Sequence, residues 1–238
     1  GFLYRGPIDE LNNSDNYITR MQPIPNKYTD TFVHSTDGNF AVGASGSRST
    51  TDLYEQAWIY NISESNYFVY TFEGSVFTTI YGIVINEDGS YTICGGYTPS
   101  DQPLKQIGFI TDFTYNSDGS YSFFNSSPIS EILGYKLLHF EGISKTQDSD
   151  VYTIVGDGFG IGEETIGLSA VLKRKNGSFS VLKAVNINYE QLSGSTKGIT
   201  TSNSVLDNDI VGYFKGNEDI NSSFQAKINW ENVPVETN

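Results

Sequence analysis

Cysteine occurs once in this chain of 238 residues, methionine once, and histidine and tryptophan twice each. One cysteine excludes an intrachain disulfide. Cys94 falls in a column held elsewhere by Val42, Val155 and Val211, which assigns the thiol to packing rather than reactivity. The two histidines, His34 and His139, form no His-x-x-x-His pair and no Cys/His cluster, so neither a transition-metal site nor a metal-dependent chemistry is expected. Basic residues are scarce, with 14 Lys and Arg against 28 Asp and Glu and a formal net charge of −14. A surface of that sign repels phosphate backbones and anionic lipid, which argues against nucleic acid or a membrane surface as partner. It suits solubility, a cationic partner or weak calcium binding. Long apolar runs are missing too. None approaches the roughly 18 residues of a spanning helix, and no stretch is rich in the usual helix formers Ala, Leu, Glu and Lys. The chain starts at Gly1 rather than Met, so either a leader has been removed or the start has been trimmed.

What is abundant is glycine, tyrosine and phenylalanine, with 24, 16 and 15 residues respectively, the composition of short strands joined by tight turns. The glycines are ordered. Gly43, Gly95, Gly156 and Gly212 each end a short apolar run, at intervals of 95−43=52, 156−95=61 and 212−156=56 residues. A second column of small-plus-apolar strands runs through Phe2-Leu3-Tyr4, Ala57-Trp58-Ile59-Tyr60, Gly108-Phe109-Ile110, Ser169-Ala170-Val171 and Gln225-Ala226-Lys227. It keeps the same irregular rhythm, and two columns sharing one period mark an internal repeat.

Each repeat reads as four strands. In the second, strands are predicted over 78–86, 91–96, 107–113 and 121–124, with turns at Asp88-Gly89 and Asp118-Gly119. Glycine supplies the positive φ there and the acid caps the turn. A four-stranded antiparallel unit that leaves both faces uncovered, repeated every 50 to 60 residues or so, predicts an all-β propeller. The column glycines would then allow close approach of backbones. Five copies of the third strand favour five blades; four copies of the first strand give four as the alternative. The whole chain, 1–238, is read as a single domain, its ring closed by N- and C-terminal strands.

The first, second and third strands resemble the HAF repeat of bacterial extracellular proteins. The matching residues are Gly198-Ile199-Thr200, Ile210-Val211-Gly212-Tyr213, and Gly1-Phe2-Leu3-Tyr4 or Ala57-Trp58-Ile59-Tyr60. The family's His before Ala-Phe is absent. The resemblance implies a secreted or cell-surface propeller and transfers no catalytic residue.

The chemistry-bearing residues are sparse. His34, aligned with Val84, Ser144 and Thr200 on a first strand, is a candidate for the central channel. Trp58 and Tyr60 could stack on a sugar ring. Asp157, Glu163 and Glu164 border a Gly-rich loop that no helix follows, so a phosphate site is not expected. Those residues are candidates for binding; no catalytic residue and no cofactor is assigned. The expected function is a binding or scaffold module for a glycan or protein. The alternative is a glycoside hydrolase using Asp and Glu at the channel mouth.

Overall fold

A computed structural model of the chain describes residues 2–19, 21–23, 30–46, 55–159, 165–187, 199–215 and 221–235. An N-terminal hairpin of β1 (Phe2–Tyr4) and β2 (Tyr17–Thr19) comes first. Blade I follows with β3 (Asp30–Asp37), β4 (Phe40–Gly46), β5 (Glu55–Asn61) and β6 (Asn66–Tyr70). Blade II holds β7 (Ser75–Ile85), β8 (Tyr91–Pro99), β9 (Ile107–Tyr115) and β10 (Tyr121–Ile129). A two-residue β11 (Glu131–Ile132) adds to the edge of blade III, whose strands are β12 (Tyr135–Lys145), β13 (Val151–Phe159), β14 (Thr165–Lys175) and β15 (Ser178–Ile187). Blade IV comprises β16 (Ile199–Leu206), β17 (Asp209–Lys215) and β18 (Asn221–Lys227). Every pairing is antiparallel between chain neighbours, and the only helices among the described residues are three short 3-10 turns.

The protein is a four-bladed β-propeller, not the five-bladed one favoured by counting third strands. The extra third strand is β1. It pairs with β2 alone, and a hairpin without first and second strands does not make a blade. Instead it lays Leu3, Ile18 and Met21 against Ala41, Trp58 and Tyr60 of blade I.

Period-two alternation explains the continuous apolar runs. Successive side chains of a strand point to opposite faces, and both faces are covered in blades flanked on either side, whereas blade IV leaves Val211 and Tyr213 exposed. Thus Ala41 meets the hairpin while Val42 packs with Ile93 and Phe109 of blade II. Ile93 faces blade I while Cys94 joins Ile154, Leu168 and Leu172 of blade III. Val155 turns away from Ile154 to meet Val205 and Ile210 of blade IV. Full burial pushes the Cys94 thiol pKa up, which keeps it unreactive.

The predicted turns hold. Gly89 and Gly119 adopt φ of 82° and 83°, and Asp88 and Asp118 accept from the backbone N–H of Ser90 and Ser120 at 3.0 Å. These serine bonds, to hydroxyl and backbone N–H, hold both carboxyl groups below their ordinary pKa, so the clustered turn acids are engaged in turn chemistry. Among the described residues one acidic group is wholly buried. Asp112 accepts from Thr92 Oγ1 at 2.6 Å, Asn125 Nδ2 at 2.7 Å and Arg174 Nη1 at 3.0 Å, tying blade II to blade III.

Candidate functional site

The column glycines build the site. In every blade the first strand carries a β-bulge opposite the second strand's glycine region: between Val33 and Ser35, Ile80 and Gly82, Phe140 and Gly142, and Ser202 and Ser204. The inserted residues are His34, Tyr81, Glu141 and Asn203. A bulge bends its strand and re-aims the extra side chain. Here it also presses a carbonyl oxygen onto the neighbouring strand. A Cβ on Gly43, Gly95, Gly156 or Gly212 would lie 2.0, 1.9, 2.4 or 2.0 Å from the carbonyl oxygen of Phe32, Thr79, His139 or Thr201. Only glycine fits under that carbonyl.

Each inserted residue touches the side chain two positions before it or across the axis. The His34 ring lies 6.1 Å from Phe32 and 4.3 Å from Tyr81 of the next blade. Tyr81 stacks at 5.0 Å on His139 of blade III. His139 Nε2 and Glu141 Oε1 are 2.6 Å apart. In blade IV, Thr201 Oγ1 donates to Asn203 Oδ1 at 3.1 Å. Asp157, opposite His139 on β13, accepts from the Ser202 N–H at 3.2 Å. Axial side chains of adjacent blades therefore meet in one polar channel. His139, Glu141 and Asp157 bring one ligand-type atom each to within 4.8 Å of one another. Hydrogen bonds already engage all three, and nothing further marks a metal site.

Burial sets the electrostatics. Desolvation pushes the Asp157 carboxyl up to about 7, opposed by His139, reinforced by the Glu141 carboxylate and opposed again by the Ser202 N–H. Desolvation works against the charged form of His139, but its bond to Glu141 and the nearby Glu141, Asp157 and Glu55 charges win, and its pKa is raised. Glu55 is raised by desolvation, partly offset by His139. His34 opens onto the channel yet is hemmed in by its wall; desolvation pushes its pKa down, Glu141 pulls it up and His139 lowers it further. Against the lowered pKa of His34, which disfavours proton binding by the folded state, stand the raised values of Asp157 and His139, which favour it. Their contribution is fully present near pH 4 and is lost as pH rises through about 7. His34 acts in the opposite sense over the same range, so the Asp157 contribution is read as a difference: Asp157→Asn is expected to gain about 5 °C in melting temperature relative to the parent chain between pH 4 and 8. A thermal-shift series over that range checks it, and an unchanged slope in the variant would refute it.

The channel opens at the end where the first strands begin. Its mouth is a funnel of about 600 Å³ walled by Phe32, Phe77, Leu104, Leu138 and Phe159, with Asp30 and Glu55 at its rim. It continues into a narrower compartment of about 190 Å³ bounded by Glu55, Thr79, Tyr81, Gly96, Tyr97 and His139. At the opposite end lies a shallow polar depression of about 700 Å³ lined by Asp148, Asp207, Asp209, Lys227 and Glu231. No bulge aims a side chain there.

Of the sequence candidates, His34 packs on Tyr81 and Asp157 lies opposite His139, next to two residues that border the inner compartment, without bordering it themselves. Trp58 and Tyr60 lie apart from it: they are 0% and 4% exposed under the N-terminal hairpin, so they serve packing and offer no open stacking face. Glu163 and Glu164 lie outside the described residues. The sequence alignment of His34 with Val84, Ser144 and Thr200 is corrected to Tyr81, Glu141 and Asn203. Gly82 and Gly142 pair one step beyond the bulge, and their blade IV counterpart is Ser204, not Gly198. The sequence does not assign His139 or Glu141 to the site, and it offers Tyr81 only as one of several tyrosines near strand ends. The signal that could have found them is the glycine column itself, because each column glycine marks the first-strand residue that precedes a bulge.

No family model matches the chain, and no curated protein matches it in sequence.

Proposed function

We propose that the protein is a binding module, secreted or held at a cell surface, and that its ligand enters the axial funnel. The observation that carries this reading is the fourfold bulge. Four blades spend strand regularity, and a glycine each, on pointing His34, Tyr81, Glu141 and Asn203 at one axis. The ligand class is a glycan or a segment of a protein, since the funnel joins aromatic walls to hydroxyl and carboxyl groups. The resemblance to HAF repeats supports the extracellular setting. Calorimetric titration with short oligosaccharides and peptides tests the reading: Tyr81→Ala is expected to weaken any ligand about tenfold or more. Binding unaffected by Tyr81→Ala would place the site elsewhere.

One observation favours hydrolysis as a second reading. The Glu141 and Asp157 carboxyl groups approach to within 4.8 Å, close to the roughly 5–5.5 Å of retaining glycosidases, and burial pushes the Asp157 carboxyl up to about 7. Against it, Asp157 is buried and engaged by Ser202, and neither carboxyl lines the funnel. Release of nitrophenol from aryl glycosides, lost in Glu141→Gln, would establish this reading in place of simple binding.

A further inference from the structure

We propose that the funnel receives a cationic side chain, lysine or arginine, of a protein partner, its stem against the aromatic walls and its charge at Glu55. The inference rests on the binding reading above and names the ligand within it.

Three observations converge. The first is the sign of the walls. Among the described residues, the funnel and the compartment beneath it are bordered by Asp30 and Glu55, with no lysine or arginine. Behind them Glu141 is paired with His139 at 2.6 Å, so the carboxyl groups that border the cleft itself are those of Asp30 and Glu55. With a net charge of −14 on the whole chain, a low-dielectric cleft of one sign focuses the field and draws cations inward.

The second is shape. The inner compartment of about 190 Å³ is smaller than the ~300 Å³ at which drug-sized pockets begin. It suits the head of one side chain better than a sugar ring. Glu55 borders both compartments, so a charge passing from the mouth inward meets its carboxylate at the neck.

The third is the wall chemistry. Phe32, Phe77 and Leu138 suit an alkyl stem, and Glu55, Thr79 and the two tyrosines Tyr81 and Tyr97 border the compartment below, where a charged head would lie. A long side chain that buries its methylenes and keeps its charge on a carboxylate satisfies both halves of the funnel.

The test is an NMR titration of the uniformly 15N-labelled full chain with three capped pentapeptides, Gly-Gly-X-Gly-Gly, with X lysine, arginine or the neutral isostere norleucine. The expected result is shifts at Gly96, Gln106 and neighbouring amides, with a cationic peptide about tenfold tighter than norleucine. Glu55→Gln is expected to remove that preference and leave the norleucine peptide unchanged, and added salt to weaken the cationic peptide alone. Should Glu55→Gln fail to fold, the salt series in the parent chain decides the same point. Equal binding of all three peptides overturns the cation assignment while leaving a binding site in place. Binding of a chito-oligosaccharide at the same amides with no peptide response overturns it in favour of a glycan. Silence toward every probe overturns both this inference and the binding reading.

Discussion

Gly95→Ala is expected to cost about 4 kcal/mol, lowering the melting temperature by about 10 °C. The methyl group would start 1.9 Å from the Thr79 carbonyl oxygen and 2.9 Å from its carbon. Both atoms belong to the inner strand of the same blade, so no side chain can swing aside. Relief requires that β7 lose its bulge, which withdraws Tyr81 from the axis. The effect is steric rather than conformational, since Gly95 has no positive φ. Gly89→Ala provides the contrast. There φ is 82° and nothing lies within 4 Å of the added carbon, so only the left-handed backbone penalty of about 1 kcal/mol applies. Chemical denaturation of both variants measures the difference. Equal costs would mean that the column glycines serve local flexibility and not close approach.

Arg174→Met is expected to destabilise by about 3–5 kcal/mol, the range found when one partner of a buried ion pair is removed. Asp112 is 0% exposed and loses one of its three side-chain donors. Arg174 also bonds Asp150 through Nε at 3.0 Å and lies 5.9 Å over the Tyr152 ring. These partners outweigh the desolvation of its guanidinium and raise its pKa. The double variant Asp112→Leu/Arg174→Met separates net worth from uncompensated burial. Removing both charges is expected to be less costly than removing the arginine alone, because the penalty of Arg174→Met resides in the stranded carboxylate. A double variant as unstable as the sum of the singles would show that the two residues act independently.

The same reasoning separates two uses of polar groups. The Asp112 network is satisfied on all sides and joins blades II and III. The axial groups are held less completely, with carboxyl groups raised by burial and a wall open at one end. Perturbed titration beside a cleft is the physical ground on which these groups are functional candidates.

Local rules carried much of the architecture. Antiparallel strands, their order and the four-strand unit follow from alternation and Asp-Gly turns, because strand pairing between neighbours is set by residues within a few positions of the turn. The predicted strands over 78–86, 91–96, 107–113 and 121–124 are observed as Ser75–Ile85, Tyr91–Pro99, Ile107–Tyr115 and Tyr121–Ile129. Burial of Cys94 was also readable from its column: Val42 and Val155 are buried as it is, and only Val211 of blade IV, at 46% exposure, departs from that environment.

Blade number and channel composition were decided by tertiary structure. A third strand has the same sequence whether or not first and second strands accompany it, so β1 was counted toward a fifth blade. Trp58 carries no mark that separates an exposed platform from a buried wedge; the covering hairpin arrives from 40 or so residues upstream. Likewise a bulge leaves no local signature on the residue it inserts. Its cause lies on the partner strand, in a glycine about 10 to 15 residues further along. The repeat and its strands were thus determined by short-range chemistry. The axis, where His34, Tyr81, Glu141 and Asp157 meet, exists only once distant blades press their backbones together.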